Sequence, residues 1–186
     1  MSPARPAFLA AATVITAAGS SAAVEREHQV GLDVGGAALV ISDKPSTDLG
    51  ASLGVHYRYG LSDQFLFMAH AAVSPVAPDE RADSPSSPTD RPAGLVEAAA
   101  GVAYVLDVLS WVPYGGLLVG GYAFYGGTLG GSPRVLPGVS IALGLDYRLD
   151  RTWSVGVSLH QTALSQPGTY PSLTQAFAHV DVNWGW

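Results

Sequence analysis

Leu49-Gly50-Ala51-Ser52-Leu53-Gly54-Val55-His56-Tyr57-Arg58-Tyr59-Gly60 alternates without a break. Leu49, Ala51, Leu53, Val55, Tyr57 and Tyr59 share one face of an extended chain; Gly50, Ser52, Gly54, His56, Arg58 and Gly60 share the other. Successive side chains of a strand point to opposite faces, so a period of two predicts a strand with one apolar and one polar side. Gly138–Leu149 repeats the pattern, with Val139, Ile141, Leu143, Leu145, Tyr147 and Leu149 opposite Gly138, Ser140, Ala142, Gly144, Asp146 and Arg148. In Trp153–Thr162, Trp153, Val155, Val157 and Leu159 oppose Ser154, Gly156, Ser158 and His160.

Five further segments follow the rule less sharply. Val30, Leu32 and Val34 alternate with Gly31, Asp33 and Gly35; Phe65, Phe67, Ala69, Ala71 and Val73 alternate with Leu66, Met68, His70 and Ala72. Val96, Ala98, Ala100, Val102, Tyr104 and Leu106 stand opposite Glu97 and Gly101. Val112, Tyr114, Leu118, Tyr122 and Phe124 are read as the apolar face of the fifth segment. Ala176, Ala178, Val180, Val182, Trp184 and Trp186 oppose Phe177, His179, Asp181 and Asn183 in the last. Eight strands are therefore expected. Their connections alternate between short (Leu61–Gln64, Asp107–Trp111, Asp150–Thr152) and mostly longer ones (Ser42–Asp48, Pro75–Pro92, Gly126–Pro137, Ser165–Ser172). That is the layout of an all-β, antiparallel up-and-down barrel with tight turns at one end.

Composition agrees. Of 186 residues 48% are hydrophobic and 13% charged, about half the charge of an ordinary soluble domain. The absence of cysteine excludes disulfides, thiolate metal sites and cysteine nucleophiles. Met1–Ala23 has Arg5, an apolar run from Ala7 to Ala18 and then small residues, the layout of a secretory signal peptide. Residues 1–23 are thus expected to be a signal and residues 24–186 the barrel domain. Without the signal, 8 basic residues face 15 acidic ones, net −7, with no basic cluster, so nucleic acid is not an expected partner.

Two barrels compete: a soluble one with its apolar face inward, and a transmembrane one with its apolar face on lipid. The apolar faces carry no Asp, Glu, Lys or Arg, whereas Asp33, Arg58, Glu97, Asp146, Arg148 and Asp181 fall opposite them. Tyr57, Tyr59, Phe65, Phe67, Tyr104, Tyr114, Tyr147, Trp153, Trp184 and Trp186 cluster near the short turns or the C-terminus. A ring of aromatics at one height suits a membrane interface. Tyr122 and Phe124 are expected to begin a sparser second ring. The reading is an eight-stranded transmembrane β-barrel.

The final strand, His179-Val180-Asp181-Val182-Asn183-Trp184-Gly185-Trp186, resembles the terminal strand of bacterial outer-membrane proteins. Val102–Asp107 through Val112–Gly116 is similar to the strand–turn–strand of small OmpA-like and OmpW-like barrels. The resemblance implies an outer-membrane location, outer-membrane lipid as surroundings, recognition of the last strand by the barrel-assembly machinery and a monomer. No peptidoglycan-binding domain follows Trp186, so an OmpA-type wall-anchoring role is not expected.

The inward polar residues are the candidates for chemistry. Asp33, Arg58, Glu97, Asp146, Arg148 and Asp181 are expected to form a paired plug, because buried charges are costly unless paired. His56, His70, His160 and His179 face the same interior. His56 with His70, and His160 with His179, sit on adjacent strands and are expected to be hydrogen-bonded lumen residues rather than metal ligands; no cofactor is expected. His160-Gln161-Thr162-Ala163 has the spacing of the His-x-Ser-Asn-Ala motif in PagL-like lipid A deacylases, with Thr for Ser, no Asn and no acid nearby. The leading expectation is a non-enzymatic barrel with a structural or loop-mediated role and at most slight pore activity. Its alternatives are a lipid A-modifying enzyme and a soluble periplasmic ligand-binding barrel. The acidic, five-proline stretch Pro75–Pro92 is the expected outward contact surface.

Overall fold

A computed structural model describes residues 26–41, 46–77, 91–106, 110–129, 133–165 and 172–185. Its strands are β1 (His28–Ile41), β2 (Ser46–Gly60), β3 (Phe65–Ala77), β4 (Gly94–Val105), β5 (Trp111–Tyr125), β6 (Arg134–Arg148), β7 (Trp153–Leu164) and β8 (Ser172–Trp184). Each pairs antiparallel with the next, and β1 also pairs with β8, so the sheet closes into an eight-stranded barrel. Closure leaves no unpaired edge. The signal segment, Trp186 and residues 78–90 of the proline-rich stretch lie outside the described residues.

The short turns are built from polar side chains. Ser62 Oγ accepts from the Phe65 amide at 3.2 Å between β2 and β3. Between β6 and β7, Asp150 Oδ1 accepts from the Thr152 and Trp153 amides at 2.7 and 2.8 Å. An aspartate that bonds the backbone two residues on reverses the chain without a long loop.

Every charged residue within a strand falls on the inward phase, from Asp33 and Asp48 to Asp146 and Asp181, while the outer faces are uncharged and mostly apolar, with Gln161 and Thr174 bonded to each other toward the long-loop end. Seven strands have the phase expected from alternation. β5 is the exception: Val112, Tyr114, Leu118, Tyr122 and Phe124 point inward and are buried, whereas Trp111, Leu117 and Val119 point out. Both faces of β5 are apolar, so hydropathy does not select between them. What selects is space and hydroxyl pairing. Gly144, opposite Tyr114 in the β5–β6 register, leaves room for the Tyr114 ring, which an added Cβ would strike. Gly138 does the same for the ring of Tyr122, whose hydroxyl lies 2.6 Å from Ser140 Oγ. The second aromatic ring expected from Tyr122 and Phe124 is therefore not on the outside.

The interior is filled. Leu39, Ile41, Leu95, Tyr122, Phe124, Leu136, Leu164 and Leu173 pack together toward the long-loop end. Leu66, Met68, Ala103, Val105, Val112, Tyr114, Leu118 and Ala142 pack along the β3–β6 side. Eight strands enclose a bore that side chains can fill, and here they do.

Candidate functional site

The remaining interior is ionisable, and the register shows how it is assembled. One row of cross-strand neighbours runs Ser154–Asp181–Gly31–His56–His70 over β7, β8, β1, β2 and β3. The adjacent row runs Asp146–Gly156–His179–Asp33–Gly54 over β6, β7, β8, β1 and β2. Glycines stand beside the large polar groups because those groups lean over them. A Cβ on Gly31 would strike the Asp181 carboxylate and the His56 ring; one on Gly156 would strike Asp146 and His179.

These rows converge into a continuous network. Glu97 Oε1 lies 3.1 Å from His70 Nδ1, and His70 Nε2 faces Asp33 at 3.7 Å. Asp33 meets His56 Nδ1 at 2.9 Å, and His56 Nε2 lies 3.1 Å from Asp181. His179 Nε2 is 2.8 Å from Asp146, whose other oxygen accepts from Arg58 Nη1 at 2.5 Å. Arg58 also donates to the Tyr114 hydroxyl at 2.6 Å, with its guanidinium 4.3 Å over the Tyr114 ring. Asp33, His56, Arg58, His70, Glu97, Asp146, His179 and Asp181 are all buried. The network holds four carboxylates against one guanidinium, a surplus of three negative charges while the imidazoles are neutral. Such a surplus inside a barrel is costly unless protons or a bound cation offset it.

The structure brings these interior residues into one buried network and departs from the expected arrangement in three places. Arg148 is not in it; this side chain pairs with Glu27 at 3.1 Å near the short-turn end and is partly exposed. Neighbouring strands do not pair the histidine rings. His56 and His70 are register partners, but the rings in contact are His56 with His179 (5.1 Å between centroids) and His70 with His160 (4.8 Å). Strand tilt carries side chains from β3 and β7 to the same height across the bore, which adjacency in sequence does not reveal. Finally, Tyr114 belongs to the network rather than to the aromatic ring.

Gln29, which bonds both Arg58 (3.2 Å) and Asp181 (2.8 Å), was not singled out from sequence. A lone amide at a strand start carries no signal. Asp48, placed by its sequence in a loop, lies in β2 and pairs with Arg91 at 3.1 Å toward the long-loop end.

His160 and Thr162 share the inward face of β7, as alternation required, and both are buried. Thr162 Oγ1 is 2.6 Å from Ser140 Oγ, and the His160 ring packs on His70 and Phe177. An acid does approach His160, but from β4: Glu97, His70 and His160 bring one donor atom each within 4.8 Å of one another.

Outside, the aromatics gather at the short-turn end. Trp111 takes the place expected for Tyr114 and packs on Tyr147 at 4.7 Å. Phe65 packs on Tyr104 at 5.5 Å, and Tyr57 lies 6.5 Å from Phe67. His28, absent from the expected ring, stacks on Trp184 at 5.6 Å, approaches Tyr59 at 4.8 Å, and has Nδ1 2.8 Å from the Tyr57 hydroxyl. Trp153 is half-exposed beside them.

Solved structures share this closed, eight-stranded layout. Neisserial surface protein A superposes with a TM-score of 0.61 at 16% identity, over 86% of this chain and 97% of that one. This is the fold of the small eight-stranded outer-membrane barrels. The N-terminal β-barrel domain of Pseudomonas aeruginosa OprF superposes on this barrel at 0.55 and 12% identity, covering 84% and 97%. Ail, the attachment invasion locus protein of Yersinia pestis, superposes at 0.55 and 11% identity, covering 86% and 99%. No protein-family model and no curated protein matches the chain by sequence. At such identities the barrel is shared and the side chains inside it are this protein's own.

Proposed function

We propose that the protein is an integral outer-membrane barrel, closed to solutes, whose role is structural and exercised through its long loops rather than by catalysis. The observation that carries this reading is the sidedness of the barrel. Within the strands all charge is inside and the outer wall is mostly apolar, with Leu32, Val34, Leu49 and Val119 each more than 60% exposed. Such a wall is an aggregation hazard in water and a match for lipid. Strands of 12–15 residues exceed the roughly 9–11 that a tilted strand needs to cross a bilayer. Barrels of this kind carry short turns on the periplasmic side and longer loops outside, so in this reading the aromatic ring lies at the periplasmic interface and the long loops face outward. The C-terminal strand is the segment offered to the barrel-assembly machinery, and the barrel works as a monomer.

The packed interior argues against a conducting pore, and the buried His160–Thr162 pair against lipid A chemistry on the outer wall. The stretch expected from sequence as Pro75–Pro92 begins inside β3, and it is residues 78–90 beyond that strand that have the acidic, proline-rich sequence of a contact surface. Fractionation tests the location. The protein is expected in the outer membrane, with faster gel migration unheated than boiled; recovery from the soluble periplasm overturns the reading. In planar bilayers no steady conductance is expected, and lipid A mass is expected to be unchanged when the protein is expressed.

A further inference from the structure

The polar interior contains two groups of three chemically competent side chains, Asp146–His179–Asp181 and His70–Glu97–His160. The first already holds its cation: Arg58 sits on Asp146, and Gln29 donates to Asp181 at 2.8 Å. The second has none. Glu97 Oε2 is buried and has no hydrogen-bond partner, nor has His70 Nε2. His160 makes ring contacts with His70 and Phe177. Burying a carboxylate oxygen without a partner is costly, so Glu97 Oε2, left beside two imidazoles, sets the site to take a ligand.

We propose that His70, Glu97 and His160 bind one divalent transition-metal ion of the zinc type inside the barrel. Two imidazoles and a carboxylate are a donor set suited to zinc and its neighbours, with a fourth position for water. The three donor atoms lie within 4.8 Å of one another, and around a zinc ion with bonds near 2.1 Å they would draw in to about 3.4 Å. His70 would bind through Nδ1, the nitrogen already 3.1 Å from Glu97, which leaves Nε2 turned to Asp33 at 3.7 Å. A carboxylate behind a ligating imidazole fixes its tautomer and raises its basicity. Asp33 is thus a positioning residue for the ion. Two positive charges also offset most of the network's negative surplus.

The ligands come from β3, β4 and β7, so the site exists only in the closed barrel. The test uses untagged protein folded in detergent after treatment with a chelator. Zinc is supplied either during refolding or afterwards, and bound metal is measured after desalting and by competition with a chromophoric chelator. One equivalent is expected in the wild type. Glu97→Gln and His160→Gln are each expected to lower affinity at least tenfold, and His179→Gln less than threefold. Gel migration without heating verifies that each variant is folded. Zinc-edge X-ray absorption of the wild type is expected to show two imidazoles, which keeps the test decisive if a variant does not fold. Absence of stoichiometric zinc in the folded wild type, an all-oxygen shell, or undiminished binding in folded His160→Gln protein overturns the proposal.

Discussion

Arg58 on β2 and Asp146 on β6 meet across the bore, Nη1 to Oδ2 at 2.5 Å, and both are buried. Removing one member of such a pair leaves the other charged and uncompensated. Arg58→Ala is therefore expected to destabilise the folded barrel by about 3–5 kcal/mol. Urea unfolding in detergent micelles, followed by tryptophan fluorescence, measures it. A change below about 1 kcal/mol would show that the pair is not held as described.

Tyr114→Phe isolates a smaller contribution. The ring keeps its place over Arg58 and beside Gly144, and only the hydroxyl that accepts from the guanidinium is lost. Hydrogen bonds to charged groups contribute about 1.5–3 kcal/mol, and a loss in that range is expected in the same assay. If Tyr114 faced outward, the substitution would be close to neutral.

Two glycines make an internal comparison. A methyl on Gly156 meets Asp146 and His179, so Gly156→Ala is expected to cost about 1–3 kcal/mol through overpacking. A methyl on Gly121 meets nothing within 4 Å, and Gly121→Ala is expected to be neutral or slightly stabilising. Equal effects at the two positions would contradict the account of the rows.

Trp111 gives an optical test of the inverted strand. In a variant with Phe at positions 153, 184 and 186, Trp111 is the sole tryptophan. Its emission in bilayers is expected to be quenched strongly by nitroxides at headgroup depth and weakly by those at the bilayer centre. The reverse order would place this residue away from the interface.

Much of this molecule was legible in alternation. Leu49–Gly60 and Gly138–Leu149 announced strands with one apolar face, and in seven strands that face is outward. Asp33, Arg58, Glu97, Asp146 and Asp181 were readable as interior residues for the same reason. β5 was not readable, because Trp111, Leu117 and Val119 are as apolar as Val112, Leu118 and Phe124. Hydropathy is silent where both faces are greasy, and the deciding partners, Gly144 and Arg58, lie on other strands. The meeting of His70, Glu97 and His160 was equally hidden. It depends on tilt and on the bore's diameter, which bring His160 on β7 to the β3–β4 pair, with which β7 shares no hydrogen bond.

The pairing of β1 with β8 joins the two ends of the described barrel, and the ionic rows lie across that seam. Asp33 and Gly31 stand on one side, His179 and Asp181 on the other, with His56 and Asp146 reaching in from farther round. An unzipped sheet can form each hairpin, yet it cannot bring these groups together. Until the first and last strands join, several carboxylates stand without their partners. The interior thus acts as a latch: its contacts favour completion at the final zippering step, and a nearly finished cylinder gains little from them.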